Sequence, residues 1–269
     1  MLSGIYVPLI TPFDESGAVA YAALEKLAAS VLDQGAAGLV ALGTTGEPSA
    51  LSAAERRTVV EICGEAARSY GAQLIVGDLE LVEGATAALV TVPAFVRPGE
   101  RGVIAHFEHL AERSQVPLVI YHIPYRTGQP LTAAVLRRLG EHPMIAGVKY
   151  ATGSVDQDAV ALLGEAPSGF SVLTGDDVYL SPMLALGASG GILASAHLHT
   201  SSFVSMAASW DRALGHRLAA MSATLFAEPN PTVLKGVLHA KGLIPTPDVR
   251  LPLVPATAES VARALDWGA

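Results

Sequence analysis

Lysine is scarce in this chain of 269 residues, occurring only at Lys26, Lys149, Lys235 and Lys241. Lys and Arg together number 17 against 25 Asp and Glu, for a formal net charge of -8. No clustered basic stripe is present to neutralise phosphates, which excludes nucleic acid as a main partner. The single cysteine, Cys63, cannot close an internal disulfide and fits a reducing compartment. It lies on a helical pattern, where it reads as packed apolar volume. No uncharged apolar run is long enough to span a bilayer. The opening Met1-Leu2-Ser3-Gly4-Ile5-Tyr6 lacks the basic and apolar regions of a secretory leader. A cytoplasmic location without a membrane partner is the expectation. His106, His109, His197 and His199 fall outside any His-Glu-x-x-His pattern, and no G-x-G-x-x-G follows the first strand, so neither a metal nor any other cofactor is expected.

What is present is apolar and periodic. Hydrophobic residues make up 51% of the chain and charged ones 16%, enough to bury one large core. Short apolar runs alternate with amphipathic segments, the signature of repeated βα units around a parallel sheet. Strands are predicted at 5–9, 38–42, 74–77, 87–92, 117–121, 145–149, 171–174 and 191–194. Helices are predicted at 22–33, 53–70, 103–114, 132–139, 156–163, 178–186 and 201–213. Ser52-Ala53-Ala54-Glu55 has the form of a capping box, and Thr132 reads as another N-cap. Further helical stretches at 216–227, 232–240 and 258–267 come after these units, separated by Pro/Gly-rich turns such as Glu228-Pro229-Asn230-Pro231. The pattern predicts an α/β chain: a (β/α)8 TIM barrel over residues 1–213, with a C-terminal helical extension over residues 214–269 packed on it. One interval is too short. A parallel crossover takes about a dozen residues or more and usually a helix, so the 78–86 stretch implies a third helix that is truncated or missing.

The active site of such a barrel lies where the strands end. Lys149 closes the apolar run Met144-Ile145-Ala146-Gly147-Val148, and an ammonium placed there loses solvation, which favours the free amine. A free amine in a cleft is a nucleophile for carbonyl carbon. Gly43-Thr44-Thr45-Gly46-Glu47 follows the second strand. Its glycines at Gly43 and Gly46 would let successive N–H groups point inward, and Thr44 and Thr45 add hydroxyl donors suited to a carboxylate. Tyr121 closes the fifth strand as a phenol able to pass a proton. Asp176 and Asp177 read as caps of the following helix. Each feature also has a structural reading: a snorkelling lysine, an ordinary tight turn, an interfacial tyrosine.

Taken together, Gly43-Thr44-Thr45-Gly46-Glu47, Tyr121-His122-Ile123-Pro124-Tyr125-Arg126-Thr127-Gly128, Gly147-Val148-Lys149-Tyr150-Ala151-Thr152-Gly153 and Gly175-Asp176-Asp177 resemble, in order and context, the dihydrodipicolinate synthase and N-acetylneuraminate lyase family. The resemblance runs from Thr11-Pro12-Phe13 to Arg250-Leu251-Pro252-Leu253. It implies a class I aldolase barrel whose lysine forms a Schiff base with pyruvate or another 2-keto acid. Carried over, Lys149 is that lysine, Thr44 and Thr45 belong to the loop holding the keto-acid carboxylate, Tyr121 transfers protons, and Ile192 offers its carbonyl near the lysine. Arg126 is the residue that would meet the carboxylate of aspartate semialdehyde, and with the Glu228-Pro229-Asn230-Pro231 stretch it favours the synthase branch. The partners implied are therefore pyruvate or another 2-keto acid and an aldehyde, with a homodimer or homotetramer as the assembly.

Three departures bear on activity. The family's Pro-Tyr-Tyr segment reads Pro93-Ala94-Phe95, and phenylalanine cannot relay a proton to a neighbouring subunit's site. The short interval after Gly77 removes a loop and helix flanking the site. Pro48 and Ala53 stand where lysine-regulated members carry polar contacts, so feedback by lysine is not expected. Two alternatives stay open beside the synthase: a related aldolase or lyase for another 2-keto acid, and a non-catalytic barrel kept as a binding or regulatory module.

Overall fold

Parallel pairing joins eight strands edge to edge and returns from the last to the first. The computed structural model describes residues 1–268. Its barrel is built from β1 (Gly4–Pro8), β2 (Gly38–Ala41), β3 (Gln73–Val76), β4 (Ala87–Thr91), β5 (Leu118–His122), β6 (Ile145–Tyr150), β7 (Ser171–Thr174) and β8 (Gly190–Ile192), closed in that order. Closure satisfies both edges of the sheet, so no strand is left to pair with another chain. Side chains alternate along each strand. One set, with Tyr6, Val40, Ile75, Leu89, Val119, Tyr121, Leu173 and Ile192, fills the barrel interior. The opposite set joins two larger clusters packed beneath the helices.

The helices are α1 (Tyr21–Asp33), α2 (Ala53–Tyr70), α3 (Gly99–Ala111), α4 (Pro124–Thr127), α5 (Ala133–Gly140), α6 (Gln157–Gly164), α7 (Leu180–Ala185), α8 (Thr200–Ala208), α9 (Arg212–Leu225), α10 (Thr232–Ala240) and α11 (Ala258–Leu265). Ser52 starts α2 with both halves of the capping box, and Thr132 caps α5 through the Val135 N–H. The single helix read over 201–213 is two, because Asp211 accepts a hydrogen bond from the Leu214 N–H at 2.6 Å and starts α9 there. The boundary expected between 213 and 214 thus falls inside α9. The short α4, missed in the sequence, begins on Pro124 and ends on Gly128 in the left-handed region. No helix among the described residues is long and apolar enough to cross a membrane.

Between β3 and β4 the crossover has no helix: residues 77–86 form turns only. Ten extended residues can reach about 30 Å, enough to bring the chain back beside β3. The pairing there is short, with only Ile75↔Ala87 and Val76↔Ala88 in register. Asp78 anchors the turn by accepting from the Arg56 guanidinium at 3.2 Å, and Val82 is buried beneath it.

After the barrel, α9 packs against the first turn after β7, and α11 packs on both α9 and α10. They carry Asn230 and Lys235 back to the loop after β2.

Candidate active site

Tyr121 and Lys149 are register partners on β5 and β6. Lys149 has the parity of Gly147 and Ala151, so its side chain enters the barrel, whereas Val148 and Tyr150 point into the helix layer. It is buried, its Nζ lies 4.3 Å from the Tyr121 ring centroid, and no hydrogen bond or ion pair holds it among the described residues. The lysine fits because residue 175 is glycine. A Cβ there would sit 2.7 Å from Lys149 Cε and 2.9 Å from its Cγ.

Lys149 opens into a cavity of about 230 Å³ that also takes in Thr44, Thr45, Tyr121, Arg126 and Ile192. Six of the eight residues singled out in the sequence therefore meet at one place. Gly43 and Gly46 do not line it; they shape the loop behind. The expectation about their backbone needs correction, since Gly43 has an ordinary φ of -67° and the left-handed positions are Leu42 and Glu47, at φ 57° and 54°. Nor do all the loop's N–H groups face inward. Those of Gly46 and Glu47 close the turn onto the carbonyls of Gly43 and Thr44, which leaves the N–H groups of Thr44 and Thr45 without a protein partner among the described residues.

That loop is held from outside the barrel. Glu47 is buried, accepts from Lys235 Nζ at 2.5 Å and from the Arg250 N–H at 2.9 Å. Lys235 is fully buried, and its Nζ also lies 4.0 Å from the Phe13 ring centroid. Burial pulls its pKa down to about 8 while Glu47 opposes the fall. The chain thus has two buried lysines, one paired and away from the cavity, the other unpaired and inside it. Lys26 and Lys241 are exposed.

Reading Asp176 and Asp177 as helix caps is also corrected. Neither caps through its side chain. The Asp176 carboxylate accepts from the Gly153 N–H at 2.7 Å and the Asp177 carboxylate from the Ser195 N–H at 2.5 Å, and both line the cavity. Burial pushes the Asp177 carboxyl up to about 6, with the Ser195 hydrogen bond and the nearby Lys149 charge acting the other way. The signal for both was present in the sequence, as carboxylates directly after a strand end. Asn230, which joins the cavity from the turn before α10, carried no such signal.

Arg126 sits at the rim on α4, exposed, 6.0 Å from the Tyr125 ring centroid. Tyr125 lines the cavity; Tyr150 does not, because its hydroxyl donates to Asp156 at 2.7 Å in the helix layer. The Thr44 and Tyr121 hydroxyls are not bonded to each other. Phe95 is 91% exposed at φ 65° on the loop after β4 and does not line the cavity of its own chain. His197 uses both ring nitrogens on backbone, Nδ1 on the Ala194 carbonyl and Nε2 on the Ile10 N–H, which fixes it as a neutral structural imidazole.

The profile of the dihydrodipicolinate synthetase family matches residues 1–77 and 77–265, breaking at the helix-less crossover. The chain is 36% identical to 4-hydroxy-tetrahydrodipicolinate synthase 2 of Clostridium acetobutylicum over 274 residues, covering 94% of this chain and 95% of that one. Among solved structures, the dihydrodipicolinate synthase of Thermotoga maritima superposes with a TM-score of 0.94 at 27% identity, covering 99% and 97% of the two chains. A chloride-inhibited dihydrodipicolinate synthase from Acinetobacter baumannii, complexed with pyruvate, superposes with a TM-score of 0.92 at 32% identity, covering 99% and 98%.

Proposed function

The chain belongs to the dihydrodipicolinate synthetase family, and from that we propose which of its residues carry the reaction. It is a class I, Schiff-base-forming aldolase-type lyase that condenses pyruvate with an aldehyde, in the manner of 4-hydroxy-tetrahydrodipicolinate synthase. Lys149 is the nucleophile. The single observation that carries this reading is a buried lysine with no ionic partner among the described residues, lying in the cavity against Tyr121. The neutral amine attacks the keto carbon of pyruvate, the carbinolamine loses water, and the iminium draws electrons from the methyl carbon as a proton leaves it. The resulting enamine attacks the aldehyde carbon. Tyr121 and Thr44 carry the protons of these steps, and the N–H groups and hydroxyls of Thr44 and Thr45 take the keto-acid carboxylate. Gly43 and Gly46 shape the loop, Ile192 offers its carbonyl near the lysine, and Arg126 meets a carboxylate on the second substrate.

Aspartate semialdehyde is the second substrate this reading favours. Phe95 supports the other one, a related aldolase with another partner, because a phenylalanine that leaves its own cavity cannot pass a proton across an interface. The exposed Phe95 and Val96 support a homodimer or homotetramer, since apolar side chains 91% and 75% exposed on one loop gain most by burial against a second copy. The segment after the barrel acts as an extension packed on it. The unpaired Cys63 supports a cytoplasmic location.

Steady-state condensation of pyruvate with aspartate semialdehyde tests the substrate assignment. Turnover that is lost in Lys149→Ala is expected. Faster turnover with a different aldehyde or 2-keto acid would transfer the assignment to the related aldolase, and no turnover with any pair would leave the binding module.

A further inference from the structure

The tail beyond the barrel reaches the cavity at two side chains, Phe226 and Asn230, and only Asn230 is polar. Asn230, on the turn between α9 and α10, donates from Nδ2 to Thr45 Oγ1 at 2.9 Å, and both residues line the cavity that holds Lys149. A hydroxyl has one proton to give and lone pairs to receive. With a lone pair of Thr45 occupied by the amide, the proton is left to point elsewhere, and Thr45 Oγ1 has no other partner among the described residues. Thr45 is almost fully buried, so bulk water does not compete for that proton.

We propose that Asn230 is a positioning residue: by donating to Thr45 Oγ1 it commits the Thr45 hydroxyl to act as a donor to the carboxylate of the bound 2-keto acid. The inference rests on the reading of the Thr44 and Thr45 loop as the carboxylate cradle, and extends it to a residue 185 positions away. Its role is separable from holding the loop. The backbone of 43–47 is fixed by its own turn bonds, by Thr11 Oγ1 donating to the Gly46 carbonyl at 2.7 Å, and by Lys235 and the Arg250 N–H on Glu47. None of these passes through Asn230, so truncating its side chain leaves the loop in place while freeing the Thr45 hydroxyl to rotate.

A carboxylate at 230 would do the reverse of the amide. It would accept the Thr45 proton and place a negative charge beside the substrate carboxylate. The test measures the pyruvate concentration that half-saturates borohydride labelling. Asn230→Ala should raise it about fivefold and Asn230→Asp by more than tenfold, with full labelling at saturating pyruvate and an unchanged KM for the aldehyde. In a Thr45→Val background, where no hydroxyl is left to direct, Asn230→Ala should change it by less than twofold. A wild-type half-saturation in Asn230→Asp would mean that Thr45 donates to position 230 and would overturn the assignment. An equal effect of Asn230→Ala with and without the Thr45 hydroxyl would overturn it as well. Failure of the unaltered protein to label at all would remove the cradle reading and this inference together, whereas normal labelling with insensitive Asn230 variants removes this inference alone.

Discussion

Lys149 and Tyr121 face each other across the β5–β6 ladder, with the lysine Nζ 4.3 Å from the centre of the phenol ring. The register of a parallel pair sets this neighbourhood, so both residues are placed by the barrel wall itself and not by a loop. An amine held there can reach a carbonyl in the cavity without paying for side-chain ordering at the moment of reaction.

Gly175 should be as sensitive as the lysine's immediate neighbours. A methyl group at 175 would meet two Lys149 carbons at 2.7 and 2.9 Å, closer than Cβ contacts normally come. Gly175→Ala should therefore displace the amine and slow pyruvate trapping by about tenfold to a hundredfold while circular dichroism stays unchanged. Trapping at the unaltered rate would show that the lysine does not follow the path it takes in this structure.

The paired lysine should behave as a structural group. Lys235→Met leaves Glu47 buried without its cation, and removing one partner of a buried pair typically costs about 3–5 kcal/mol. For a chain of this size the thermal transition should then drop by roughly 10 °C, while the protein that remains folded still labels with pyruvate. Adding Glu47→Gln should recover part of the loss, because the uncompensated charge is gone. A transition within a degree or two of the unaltered protein would contradict the pairing.

Asp177 sets a pH dependence. Its carboxyl, pushed up to about 6 by burial, keeps its proton in the folded chain over a range in which the unfolded chain has already lost it. The folded state binds more protons between about pH 4 and pH 6, so this residue's contribution to stability is full below about 4 and falls as pH rises through 6. Denaturation of Asp177→Asn and the unaltered protein across that window should show the unaltered protein losing ground to the variant as pH rises. A difference that is flat, or that grows with pH, would rule this out.

Arg126 should matter only for the second substrate. Its guanidinium is exposed at the rim and forms no salt bridge with a carboxylate among the described residues. Arg126→Ala should raise KM for an acidic aldehyde about tenfold and leave pyruvate labelling intact. Unchanged kinetics with aspartate semialdehyde would remove the argument for that substrate.

How far the sequence carried depends on how local each signal is. The barrel was legible because alternating strand and helix patterns are local, and the missing third helix followed from counting residues against the reach of a crossover. Lys149 and Tyr121 stood out because each ends an apolar run, one residue short of the strand ends at Tyr150 and His122. Conformation inside the loop was misjudged, since the left-handed positions fell on Leu42 and Glu47 and not on the glycines. Asp177 read as a cap until its carboxylate was seen on the Ser195 N–H, which lies on a different βα unit. Asn230 and Lys235 were out of reach for the same reason. Their partners Thr45 and Glu47 lie 185 and 188 residues away, and nothing in the pattern of a helix or turn encodes such a distance.

The most direct test of the account is where pyruvate becomes attached. The protein is reduced with borohydride in the presence of pyruvate, its mass is measured, and the labelled peptide is mapped. One equivalent of adduct on Lys149, absent in Lys149→Ala, is the predicted result. Labelling on Lys26, Lys235 or Lys241, or no adduct on the folded protein, would contradict it.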